Sequence, residues 1–394
     1  MDVAWSMNLQ PGNGNGIFSI FIFGPGVTAF FQKRPVQKKL AVFANDCVRS
    51  LPDNMQCLYD ELRRRGYRCI LCLKPKHAGN PISAQVRSFC NYLRFIYYYA
   101  HCRCVFLSDY YFPVYSVKPR EGTRVIQLWH ACGAFKKWGY STLGNAWGDK
   151  KGRMIERYPI HNTYTDVPVS AEKVIPYYAD AFHCDQSLIK PLGVARTDRY
   201  FDHDFIAQAR SRVLASFPEI GERKILLYAP TFRGTSMYDA HNDVLPDYSA
   251  MREALGEKYV ILNKLHPFVE QNKAQTPSVA DSFVFTAKDL PIDVCLCAAD
   301  LLISDYSSLI FEYALLERPM VFFAYDLDTY DEERGFYQPY RSFVPGPIAA
   351  NTSELISAVQ RVDGKCSAQV LKFKEDYMSA CDGHAVERLL GLIS

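Results

Sequence analysis

From Lys38 onward the chain alternates short apolar runs with amphipathic segments. KKLAVFAN (38–45) reads as a strand, and NMQCLYDELRRRG (54–66) as a helix stopped by Gly66. YRCILCLKP, CRCVFLSD and TRVIQLWH are further strands, with a long helix over 83–101 between the first two. The pattern restarts after residue 220. ERKILLYAPTFRG, KYVILNKLHP, FVF (283–285), ADLLISDYSS and RPMVFFAYDL read as strands, preceded by a helix over about 204–216. Continuous apolar strands alternating with helices predict parallel sheets covered on both faces. Two such runs predict an α/β protein of two Rossmann-like domains facing a central cleft, with ligands beyond the carboxyl ends of the strands. The expected divisions are an N-terminal segment (1–36), a first domain (37–198) and a second (199–394).

Composition narrows the class. Apolar residues make up 48% of the 394 positions and charged residues 22%, which excludes a mainly disordered chain. The most apolar stretch, Ile17 to Phe31, is interrupted by Gly24-Pro25-Gly26 and is too short to span a bilayer. Lys33, Arg34, Lys38 and Lys39 follow it. Apolar residues beside a cationic cluster can dock on an anionic membrane surface; an edge element tucked against the first domain has the same pattern.

The net charge of +3 conceals a split: residues 1–200 carry +13 and residues 201–394 carry −10. A basic half suits an anionic partner. The aromatic residues follow no RNA-recognition pattern, so nucleic acid is not the expected one. The 13 cysteines follow no charged secretory leader and read as buried thiols of a reducing compartment. Cys69 and Cys72 form a CxxC on a strand, where residues three apart point to opposite faces, so no metal site is expected.

Three segments carry candidate chemistry. In ISDYSSLIFEYALLERP (303–319) a strand ends at Ser304-Asp305, and Ser307 or Ser308 opens a helix. Unpaired N–H groups at that helix start favour a diphosphate. Glu312, one turn further, can accept hydrogen bonds from a ribose or face solvent. His130 follows the strand TRVIQLW. It can take a proton from an attacking hydroxyl, or it is a packed residue beside Trp129. Lys136 and Lys137, with Lys150, Lys151 and Arg153 downstream, can neutralise phosphates. His266 ends the strand ILNKL before Pro267, and the strand end YAPTFRG supplies Thr231 and Arg233. The strings Asp202-His203-Asp204 and Asp326-Leu327-Asp328 read as surface acids. Neither a P-loop nor a glycine-rich dinucleotide fingerprint is present.

These segments, in this order, resemble the CDP-glycerol glycerophosphotransferases that build teichoic acids and related capsule polymers. LWHACGAFKKWG resembles the family's WHG segment and its lysine pair. PLGVARTDRY, containing Arg196, resembles its G-x-x-R-x-D step. LYAPTFRG, NKLHP, the stretch 303–337 and DGHAVERLL near the C-terminus complete the resemblance. It implies a GT-B-like fold and transfer of glycerol phosphate from CDP-glycerol to a hydroxyl, with CMP released and no cofactor. His130 and His266 would be the functional pair. Thr231, Arg233 and the segment Asp305, Tyr306, Ser307, Ser308, with Glu312, would hold the CDP end. Lys136, Lys137 and Arg196 would meet acceptor phosphate. The acceptor would be a polyprenyl-diphosphate-linked saccharide or growing polymer, and the enzyme peripheral on the cytoplasmic face of the membrane. Ala131-Cys132 replaces the usual Gly-Thr, so a different loop is expected there. An alanine variant also resembles the ribitol-phosphate branch, with CDP-ribitol as donor. The competing readings are a GT-B nucleotide-sugar glycosyltransferase and a polymer-binding protein without turnover.

Overall fold

The structure is a computed structural model that describes residues 26, 28, 31–74, 81–143, 160–234, 240–242, 244–266, 269, 282–362 and 365–394. Most of the apolar stretch 17–31, and Lys150, Lys151, Arg153 and Pro267, lie outside the described residues. Among the described residues, no helix is long and apolar enough to cross a membrane.

The chain divides into two compact units, each built on a parallel sheet. The first contains β1 (Gln37–Asn45), β2 (Arg68–Leu73), β3 (Cys102–Leu107) and β4 (Arg124–Gln127), ordered β2-β1-β3-β4. A parallel bridge from Ile126 to Asp166 leads to the short pair β5 (Val167–Pro168) and β6 (Ile189–Lys190). Strand order reverses between β1 and β3. There the Asn45 amide donates to Ser108 Oγ at 2.7 Å.

The second unit holds β7 (Lys224–Tyr228), β8 (Tyr259–Asn263), β9 (Val284–Thr286), β10 (Leu301–Ser304), β11 (Met320–Phe323) and β12 (Ile348–Ala349). Their order is β12-β11-β10-β7-β8-β9, and every pairing is parallel. This is the doubly wound arrangement, whose order reverses between β7 and β10. All five residues of β8 are buried, as a strand covered by helices on both faces requires. Leu226, Ile261, Ile303 and Val321 pack with Met251 and Leu255 on one face of this sheet.

Two segments depart from the divisions expected at 37–198 and 199–394. Ala131 onward, through 143, belongs to the second unit, and Ala380–Ser394 belongs to the first. The C-terminal helix Ala385–Gly391 supplies Leu389 and Leu390, which pack with Ile393 against Ala41, Phe43, Cys104 and Phe106. Its start is fixed by Asp198, whose carboxylate accepts the Ala385 and Val386 N–H groups, both at 2.9 Å. Arg388 then donates to the carbonyls of Leu192 and Ala380. The G-x-x-R-x-D step and the DGHAVERLL ending are therefore two halves of one clasp.

The cysteines are not uniformly buried: Cys47, Cys90 and Cys366 are exposed, while Cys72, Cys102, Cys104, Cys132, Cys295, Cys297 and Cys381 are buried.

Candidate active site

The switch point of the second sheet concentrates the segments singled out from the sequence. β7 runs into Ala229-Pro230-Thr231, and β10 into Asp305 to Ser308. Ser304 Oγ donates to the Ala229 carbonyl at 3.0 Å. Asp305 Oδ1 accepts the N–H groups of Thr231 (2.8 Å) and Tyr306 (2.6 Å). One buried carboxylate thus ties the two strand ends together.

Arg233 completes this clamp rather than reaching outward. Its Nε and Nη2 hold the two Asp326 oxygens at 2.6 and 2.9 Å, and its Nη1 holds Asp305 Oδ2 at 3.0 Å and the Thr231 carbonyl at 2.6 Å. The guanidinium lies over the rings of Tyr306, Tyr325 and Tyr330. Burial opposes its charge, but Asp305 and Asp326 outweigh burial and push its pKa up. The guanidinium offers five N–H groups, and this clamp occupies most of them. Arg233, expected at a phosphate, is engaged by these carboxylates in this structure. Asp326, expected as a surface acid, belongs to the same clamp and also accepts the Tyr306 hydroxyl at 2.8 Å. Asp202, by contrast, caps the helix His203–Ser216.

Other groups singled out from the sequence lie near these strand ends. The Thr231 hydroxyl is buried and has no hydrogen-bond partner among the described residues. Ser308 occupies the cap position of the helix Leu309–Leu315, with no side-chain cap bond. Ser307 Oγ instead accepts the Leu309 N–H at 3.3 Å. Glu312 is buried, not solvated. His266 is half-buried, and its ring packs on Phe232 at 4.8 Å. That contact places it against the loop carrying Thr231 and Arg233.

Lys136 and Lys137 sit in this second unit. Lys136 pairs with Phe336 in an antiparallel bridge, and the Lys137 N–H donates to the Gly335 carbonyl at 3.0 Å. Phe135 explains the placement: it stacks against Phe336, Tyr340 and Phe343 at 5.0–5.9 Å. The lysine pair was expected with the first domain, but this aromatic cluster holds its backbone in the second. Arg196 lies in the first unit, half-buried within the turn Ala195–Phe201.

His130 closes the first unit, just beyond β4. The preceding residue, Trp129, has a left-handed backbone (φ 54°). Such a conformation costs a bulky residue about 1–3 kcal/mol and persists only where surroundings enforce it. Here Gln127 Oε1 accepts the Trp129 N–H at 3.0 Å, and Asn54 donates to the Trp129 carbonyl. Gln127 is itself anchored by the Tyr164 hydroxyl (2.8 Å) and the Asp109 carbonyl (3.2 Å). His130 Nδ1 lies 3.9 Å from Asp109 Oδ2. The His130 ring is mostly covered and stacks on Trp129 at 4.2 Å. Packing beside Trp129 and a strand-end position thus hold together. Ala131 has no left-handed backbone; the positive φ values fall at Trp129 and Gly133. The Gly-to-Ala departure is accommodated without strain.

Asp109, Gln127, Asn54 and Asp326 were not singled out from the sequence as site residues. Asp109 had a usable signal, since it follows β3 as His130 follows β4. The others are recognisable only through their partners. Among the described residues, no cluster of His, Cys, Asp and Glu suits a metal ion.

Comparison with known proteins identifies the family and the fold. The family model for CDP-glycerol:poly(glycerophosphate) glycerophosphotransferase matches residues 27–394. A teichoic acid ribitol-phosphate primase of Bacillus spizizenii is 35% identical over 95% of both chains. A teichoic acid glycerol-phosphate primase of Bacillus subtilis is 31% identical over 73% of both. The solved wall teichoic acid polymerase TagF shares the fold, with a TM-score of 0.71 over 96% of this chain and 95% of its own, at 22% identity. A match of this extent, in sequence and in fold, means that the chain belongs to the CDP-glycerol:poly(glycerophosphate) glycerophosphotransferase family.

Proposed function

We propose that this protein transfers a polyol phosphate from a CDP-polyol to a hydroxyl of a polyprenyl-linked saccharide or growing teichoic-acid-type polymer. The acceptor oxygen bonds to the β-phosphorus, and the bond from that phosphorus to the bridging oxygen breaks, so CMP leaves. His130 takes the hydroxyl proton, and His266 stabilises charge on the phosphate or the leaving group. The observation that carries this reading is the β7–β10 switch point. There a buried Thr231 hydroxyl without a partner among the described residues follows β7 and the Ser307–Ser308 segment follows the adjacent strand β10, on strand ends tied together by Asp305. Those hydroxyls suit phosphate oxygens, while the Arg233 clamp keeps the loop in place.

The family's name specifies CDP-glycerol. CDP-ribitol is favoured as donor by two observations: Ala131 follows His130, and the ribitol-phosphate primase is the more similar of the two primases compared. We further place the enzyme on the cytoplasmic face of the membrane as a peripheral protein, supported by the basic cluster Lys33, Arg34, Lys38 and Lys39.

The test is CMP release from purified protein given CDP-glycerol or CDP-ribitol with a detergent-solubilised polyprenyl-linked acceptor. Release with one donor establishes the reaction and the polyol, and product mass distinguishes one unit from many. No release with either, or preference for a UDP-sugar, overturns the reading.

A further inference from the structure

Asp109 has no part in the reading above, yet its surroundings are those of a built site. It lies directly beyond β3, adjacent in the sheet to β4, whose continuation carries His130. The residue is 5% exposed. Oδ1 accepts the Tyr110 N–H at 2.8 Å, which fixes the carboxyl plane. Oδ2 lies 3.9 Å from His130 Nδ1. That separation is ion-pair range for a protonated imidazole and about 1 Å longer than a hydrogen bond. Catalytic hydrogen bonds are often long before substrate arrives.

The other half of the arrangement is also fixed. Gln127 and Asn54 hold Trp129 left-handed from both sides of its peptide, so the direction of His130 is imposed by the fold. Gln127 additionally donates to the Asp109 carbonyl, so one amide positions the acid and the turn that bears the histidine.

We propose that Asp109 is a positioning residue for His130: its carboxylate engages Nδ1–H, selecting the tautomer whose Nε2 lone pair faces the acceptor hydroxyl. This rests on the assignment of His130 as the base. When Nε2 takes the proton, the imidazolium keeps Nδ1–H towards Asp109. The proton stays on the ring, and the carboxylate stabilises the positive charge. Loss of the carboxylate removes that stabilisation, so the histidine becomes a weaker base.

Other groups bear on the same site. Just beyond β1, the Cys47 thiol hydrogen-bonds to Asp109 and Asp46 lies in its electrostatic neighbourhood, while Lys74, just beyond β2, acts on Asp46 and Cys47. Tyr110 packs edge-on against Trp129. His161 contacts Tyr110, but burial holds its pKa down to about 3, so it stays neutral over the working range.

The experiment compares Asp109→Asn and Asp109→Glu with wild type, using His130→Gln to identify the His130 resonance. Imidazole NMR titration of the resting protein reads the pair without any substrate. In Asp109→Asn the His130 pKa is expected to fall by about 1 unit. The acid limb of the kcat/KM profile moves down with it, and kcat falls at least about tenfold. Asp109→Glu is expected to retain most of the wild-type His130 pKa. A folded Asp109→Asn protein with an unmoved His130 titration overturns the proposal, whatever happens to activity. If the titration shifts but His130→Gln still releases CMP at the wild-type rate, the pairing stands, its catalytic role is lost, and the fault lies in the assignment of His130 as base.

Discussion

Gly133 and the ring of Phe311 occupy adjoining space so closely that a β-carbon at 133 would overlap the ring. The glycine also has φ +61°. Its backbone freedom and its lack of a side chain are both used, three residues after His130. Gly133→Ala is expected to destabilise the protein by about 2–4 kcal/mol, combining backbone strain with overpacking. Pairing it with Phe311→Leu should recover part of the loss. Urea unfolding measures both; an unchanged midpoint for Gly133→Ala would contradict the packing described.

Arg233 predicts a second outcome. Arg233→Met leaves Asp305 and Asp326 as carboxylates without their cation, and the expected loss is about 3–5 kcal/mol. Arg233→Lys keeps the charge but not the planar fork, so its loss should be smaller. Thermal and urea unfolding of the two variants give the order. If Arg233→Met unfolds like wild type while donor binding alone is lost, Arg233 contacts the donor and is not a clamp.

Thr231 predicts the opposite combination. Its hydroxyl makes no hydrogen bond among the described residues, so Thr231→Val should leave stability close to wild type. A lost hydrogen bond to a charged phosphate corresponds to about tenfold weaker donor binding. Calorimetric titration with the CDP-polyol reads this directly. Unchanged donor affinity would remove Thr231 from the site.

His161 makes stability depend on pH. It is buried among Tyr110, Tyr115, Tyr164 and Phe182, and burial lowers its pKa from 6.5 to about 3. The unfolded chain therefore binds a proton that the folded chain refuses between pH 6.5 and 3. Stability is intact above pH 6.5 and falls as pH drops through that window, by about 2 kcal/mol at pH 5 from this residue. Unfolding free energy measured from pH 7.5 to 5 should show the slope, and His161→Gln should flatten it. An equal slope in both proteins would exclude His161 as its source.

The two sheets were legible because burial leaves its mark on their longer strands. KKLAVFAN, YRCILCLKP and KILLY announce themselves through unbroken apolar runs. β12, with two residues, and the pair β5 and β6 carry too few positions for a pattern. His130, His266, Thr231 and the serine pair were visible because each follows a recognisable strand. Arg233 was legible as a residue but not in its role. Its partner Asp326 lies 93 positions away, and sequence spacing holds no record of which carboxylate meets which guanidinium.

The sequence by itself determined the parallel α/β architecture, the strand ends where the candidate site residues fall and the resemblance to a phosphotransferase family. Periodicity and local motifs encode those features within a few residues. Only the tertiary structure decided that Phe135 draws the lysine segment into the second unit, that the C-terminal helix returns to Asp198, and that Asp109 stands behind His130. Each of these is a meeting of distant side chains. The shape and charge of both partners select such contacts, and neither partner carries that information alone.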